Sequence, residues 1–134
     1  MELKKSYKGF VYWLIGFLVA VFGCSFLPFF DESLMTRIVL NVTILSVVVL
    51  AFIIYKTGYI YWYNGVGYEE AVKAGSERRK IYALEHFRRF GIFGGGYFVF
   101  SVIAHGCGWN IWWDVLIMTV GLIVAAVSTI GIKL

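Results

Sequence analysis

Val47–Ile54 reads VVVLAFII, eight consecutive apolar residues with no polar interruption. A membrane-spanning strand alternates apolar and polar residues over about ten positions. This run does not alternate. In lipid every backbone N–H and C=O must be satisfied within the segment, so a continuous apolar run is read as helix despite its β-branched side chains. Extended in both directions, the run reaches from Ile38 to about Tyr59, close to the ~20 residues that cross a bilayer.

The rest of the chain agrees with that reading. Of 134 residues, 60% are hydrophobic and 15% charged, with a mean hydropathy of +0.80. Soluble domains are usually about half apolar. Three further runs are long enough to be spans: Phe10–Phe30, ended by Pro28 and the polar Asp31–Ser33; about Phe90–His105; and Ile111–Ile132. The expected fold is an all-α integral membrane protein, a four-helix transmembrane bundle forming one domain over 1–134. A helical connection over 64–89 joins spans two and three.

Basic residues orient the bundle, because loops on the cytoplasmic side carry excess lysine and arginine. Lys4, Lys5 and Lys8 precede span one, and Lys133 follows span four. Lys56, Lys73, Arg78, Arg79, Lys80, Arg88 and Arg89 surround the central connection. Eleven of the twelve basic residues thus fall on one side, with Arg37 alone on the other. Both termini and the connection are expected to be cytoplasmic, in a bacterial plasma membrane. Tyr55, Tyr59, Tyr61, Trp62 and Tyr63 then mark the inner interface, and Trp109, Trp112 and Trp113 the outer one.

Covalent signals are few. VFGC at Val21–Cys24 resembles a lipoprotein cleavage signal, but the bulky Phe22 occupies a position where such signals favour a small residue. The start is read as a retained span. Cys24 and Cys107 are expected to be free, and the Asn41–Thr43 sequon lies too close to the membrane to be modified.

Helices in lipid associate through close packing of small residues. Gly16, Ala20 and Gly23 form one candidate seam with Gly9, Gly121 and Ala125 form another, and Gly94 and Gly95 belong to a glycine run in span three. That run is read as a packing notch, with a broken, solute-binding helix as the alternative.

The connection begins with a turn at Asn64-Gly65. A short helix carries Glu69 and Glu70 in its first turn, where carboxylates favour the positive end of the helix dipole. Gly75 ends it, and Ser76 starts a second helix that runs into span three. Ile81, Leu84, Phe87 and Gly91 make an apolar stripe opposite Arg78, Arg79, Lys80 and Arg89. Tyr68, Glu69, Arg78, Arg79, Glu85 and His86 are the candidate docking surface.

The chemistry-bearing sets are incomplete. EHFRR lacks the second histidine of a helical zinc site, and NGVG lacks the Gly-Lys-Ser/Thr ending of a phosphate loop. No metal and no cofactor is expected. Asn41, His105 and Asp114 form a candidate polar cluster toward the outer side. Seven bases against four acids over Lys56–Arg89 leave about three positive charges, which suits anionic headgroups rather than nucleic acid. The favoured function is a non-enzymatic membrane protein acting by protein contact, as an accessory subunit, an immunity-like protein or a homo-oligomer. The alternative is an oligomeric ion or solute transporter or channel, and a membrane enzyme is third.

Overall fold

The computed structural model describes residues 5–26, 31–63 and 65–134. Lys4 of the N-terminal basic group, Pro28 at the end of the first span and Asn64 of the turn lie outside the described residues. Four helices follow in order: α1 (Lys8–Ser25), α2 (Glu32–Thr57), α3 (Tyr68–Gly106) and α4 (Ile111–Ile130). A short aromatic 3-10 turn, Ile60–Trp62, precedes α3. Helices α1, α2 and α4 are each long and apolar enough to cross a membrane.

Helix α2 begins six residues before the expected Ile38, and its cap explains why. The Asp31 carboxylate accepts from the Leu34 N–H at 2.7 Å, and Glu32 occupies the first turn. Carboxylates at both positions satisfy free N–H groups and complement the dipole. The earlier start takes Arg37 out of the loop and into the helix. At the other end Gly58 adopts φ 82 and donates to the Ile54 carbonyl, the left-handed termination that glycine makes without a Cβ penalty.

Helix α3 breaks where the sequence indicated. Gly75 has φ 86 and ψ 164, between two helical pieces. The glycine run Gly94–Gly96 is by contrast continuous helix, so the break reading does not apply there, and of the three Gly94 alone meets atoms of the described residues. A Cβ at Gly94 would lie 3.1 Å from Val48 and 3.3 Å from Ile44, which shows how closely α2 approaches. Gly95 faces open space.

Helix α2 is the hub, packing against α1, α3 and α4. Ile44, Tyr97 and Met118 form one core, with Phe93 against it. Ile54, Ile60, Tyr61, Ala71, Tyr82 and Ala83 form the other, near the connection. Tyr61, expected as an interfacial anchor, is buried there. Its hydroxyl donates to the Ser6 carbonyl at 2.8 Å and accepts from the Ser6 N–H at 2.7 Å, which ties the N-terminal segment to the aromatic turn.

Two small-residue seams fare differently. Gly121 accepts the ring of Phe93, since a Cβ there would sit 2.1 Å from its Cε2, and Ala125 is buried beside it on α4. The α1 seam does not form. No atom of the described residues lies within 4 Å of a Cβ placed at Gly16 or Gly23, and Ala20 is exposed. Helix α1 instead turns Phe10, Trp13, Phe17 and Val21 inward, at three- and four-residue steps. Trp13 donates from Nε1 to the Ser46 carbonyl at 2.8 Å. Aromatic bulk on that face carries the contact, so Gly16 and Gly23 point elsewhere, while Gly9 alone of the seam packs, against Trp62, where a Cβ would lie 2.9 Å from its ring.

Replacing Gly121 by Leu is expected to lower stability by about 1–3 kcal/mol, the usual cost of overpacking a filled site. Phe93→Ala in the same chain should recover part of the loss, whereas Gly16→Leu should change little. Thermal unfolding in detergent checks all three.

Candidate functional site

The strongest concentration of buried charge lies at the end of the bundle away from the connection. Helix α2 contributes Arg37 and Asn41, four residues apart on one face. Helix α3 contributes Tyr97, Ser101 and His105, again at four-residue steps. Helix α4 contributes Asp114 in its first turn, where the dipole favours a carboxylate.

Arg37 holds the group together. Its Nε lies 3.1 Å from Asp114 Oδ1, and Nη2 donates to the Trp109 carbonyl at 2.6 Å. Nη1 reaches His105 Nδ1 at 3.4 Å. Guanidinium can only donate, so Nδ1 is the acceptor in this contact. Tyr97 donates its hydroxyl to Asp114 Oδ2 at 3.3 Å. Asn41 donates from Nδ2 to the Arg37 carbonyl at 2.8 Å and to Ser101 Oγ at 3.1 Å. Arg37 is 4% exposed and Asp114 is fully buried.

The expected trio of Asn41, His105 and Asp114 is therefore brought around one arginine. The trio lacked Arg37, Tyr97 and Ser101. Starting span two at Ile38 had left Arg37 in a loop. The signal was nonetheless present: Arg37 and Asn41 share one helical period, and so do Tyr97, Ser101 and His105. Electrostatically the pair is neutral, and both carboxylate oxygens of Asp114 have partners. Such a set fastens three helices together; it presents no free carboxylate to a passing ion.

A second buried polar layer lies at the connection. Arg79 is 7% exposed, and its Nη1 donates to the Ala71 carbonyl at 2.8 Å, across the Gly75 break. His86 is 4% exposed. Its Nδ1 donates to the Tyr82 carbonyl at 2.9 Å, and its ring stacks on Tyr63 at 4.2 Å and lies 4.4 Å from Tyr82. Arg79 and His86 thus leave the proposed docking surface, and Tyr68 and Glu85 are half-buried, while Glu69 and Arg78 stay exposed. The apolar stripe is split: Ile81 and Leu84 face outward, whereas Phe87 packs against Phe52 and Tyr55 and Gly91 is half-buried. The inward face is Arg79, Tyr82, Ala83 and His86, because the rings of Tyr82 and His86 fill the space against the aromatic turn. Sequence polarity concealed this, since two of the four are basic.

Cys24 and Cys107 are free thiols, and Cys107 is exposed. Among the described residues no group of three His, Cys, Asp or Glu is placed to hold a metal ion. Comparison of the chain with protein-family models, curated proteins and solved structures found no match.

Two tests follow from these layers. Arg37→Met and Asp114→Leu should each cost about 3–5 kcal/mol, because each leaves a buried charge without its partner. The double variant should be less damaged than either single one, and a thermal-unfolding mutant cycle in detergent reads the difference.

For His86, burial lowers the pKa below the usual 6.5, the Tyr82 carbonyl opposes that shift, and the Arg89 cation reinforces it. The folded chain then binds fewer protons than the unfolded one between the lowered value and 6.5. Stability is complete above that window and falls as pH drops through it. His86→Phe is expected to flatten the fall, measured as melting temperature against pH.

Proposed function

We propose that this chain is a small four-span membrane protein that acts by contact with another protein, without catalysis of its own. In this reading the apolar second half of α3, from about Phe90, is the fourth span. Both termini and the α2–α3 connection then face the cytoplasm of a bacterial cell, as the placement of the basic residues indicates.

The observation that supports contact is the outer face of the charged half of α3. Val72 before the Gly75 break and Ile81 after it are exposed, Ile81 by 63%, among the exposed side chains of Glu69, Lys73 and Arg78. An apolar anchor beside charged residues is what a helix offers to a partner groove. The frame beneath them is held by Arg79 and His86, so the face is pre-organised, and ordering it on binding costs little. A helix lying against a partner groove, or the same face of a second copy, fits this chemistry.

Of the two features that favoured transport, the outer cluster forms and the helix break does not. Helix α3 runs unbroken through Gly94–Gly96, and Asp114 is buried in a neutral pair.

A photo-crosslinking residue at Ile81 is expected to give a discrete protein adduct in native membranes, weakened several-fold by Arg78→Glu. The same residue at Ile92 should give none. In a Cys24→Ser background, an impermeant thiol reagent should label Cys107 from outside, and Ser76→Cys only after the membrane is opened. Loss of the Ile81 adduct would remove the contact reading, and the opposite labelling pattern would remove the topology.

A further inference from the structure

The crevice between α2 and α3 has a shape and a charge pattern that neither buried layer explains. It is a groove of about 510 Å³ whose α2 wall runs from Ile38 to Val48, with Gly91, Gly94, Gly95 and Phe98 on the other side. Gly94 closes it from behind against Ile44 and Val48, whereas a Cβ at Gly91 or Gly95 would meet no atom of the described residues within 4 Å. Leu45 and Phe98, both more than half exposed, stand up as its rims.

One turn nearer the connection on the same two helices, beyond Val48 and Gly91, stand aromatic rings. Phe52 and Phe87 lie 5.7 Å apart, and Tyr55 lies 6.4 Å from Phe87. Two ammonium groups then converge on the Tyr55 ring, Lys56 at 5.7 Å and Lys80 at 5.9 Å from its centre. Lys56 also sits 5.6 Å from the Phe52 ring. A ring face attracts a cation but does not neutralise it. Among the described residues, neither ammonium has a carboxylate within ion-pair distance, although Arg37 and Arg88 do.

We propose that this crevice binds an anionic glycerophospholipid, with its phosphate between Lys56 and Lys80 and one acyl chain laid over Phe52 into the glycine-floored groove. The dimensions suit one leaflet. From Lys56 to Leu45 the helix rises about 16 Å at 1.5 Å per residue, close to half of the ~30 Å hydrocarbon core. A chain whose phosphate meets Lys56 therefore ends beside Leu45 and Gly95, inside the groove. Charge selects the leaflet. At the opposite end of the groove the nearest cation is Arg37, already paired with Asp114. A flexible acyl chain also fits a floor without Cβ atoms, because it can reach backbone that a branched side chain cannot approach.

The site rests on α3 crossing the membrane, which the thiol labelling tests separately, and it does not depend on the protein partner. Native mass spectrometry of the detergent-purified chain, titrated with phosphatidylglycerol or with phosphatidylcholine of the same acyl chains, tests it directly. The wild-type chain is expected to retain phosphatidylglycerol in preference. Lys56→Gln with Lys80→Gln should lower that retention roughly tenfold, in keeping with the attraction of each base to an anionic headgroup, and leave phosphatidylcholine unchanged. Both lysines are exposed, so the fold does not depend on them.

Gly91→Leu with Gly95→Leu fills the groove and should reduce adducts of both lipids, while the same change at Gly16, which also faces open space, should not. Equal retention of the two lipids, or no response to the lysine pair, overturns the proposal. So does a lipid-independent dimer that the glycine pair converts to monomer, since a second copy would then occupy the groove.

Discussion

The ion pair between Arg37 and Asp114 is the constraint around which the bundle is arranged. Both groups are withdrawn from solvent, which is costly unless the partner and the remaining hydrogen-bonding positions are supplied together. Supplying them fixes three helices at once. Helix α2 must start early enough to carry Arg37 inward, α4 must present Asp114 in its first turn, and α3 must turn Tyr97 toward Asp114, His105 toward Arg37 and Ser101 toward Asn41. The Trp109 carbonyl brings the short α3–α4 connection into the same set. Packing of small residues then follows the alignment: Phe93 seats on Gly121 and α2 closes on Gly94.

The other end of the bundle uses the same device with different chemistry. Arg79 bridges the Gly75 break by holding the Ala71 carbonyl, and His86 completes an aromatic stack with Tyr63 and Tyr82. Arg89 donates to the Ser128 carbonyl near the end of α4, where a cation complements the negative pole of the helix. The chain thus spends several of its ionisable groups on internal order. Helix α1 stands outside both layers. It has no buried residue and attaches by aromatic contact along α2 and the aromatic turn.

What remains at the surface divides in two. One part is the mixed surface around Val72, Arg78 and Ile81, suited to a protein. The other is the glycine-floored crevice with Lys56 and Lys80 beyond it, suited to a lipid. They lie on neighbouring faces of one helix, so a lipid seated in the crevice would help hold the charged half of α3 at a set height above the bilayer. Contact and lipid binding would then be two uses of one rigid element.

Composition and spacing alone determined the helical class, the apolar runs that became α1, α2 and α4, and the break at Gly75. Those features are local: continuous apolarity in lipid and a glycine between polar turns need no distant partner. They also marked Asn41, His105 and Asp114 as related. Only the tertiary structure placed Arg37 at their centre, turned Ile81 outward and Arg79 and His86 inward, and left Gly16 and Gly23 unpacked while Gly94 and Gly121 were filled. The reason is that hydropathy describes a residue's cost in water or lipid, whereas a buried charge is settled by partners contributed from other helices. A glycine likewise records that close approach is allowed, and the large side chain across from it, Phe93 at Gly121 and none at Gly16, decides whether the approach occurs.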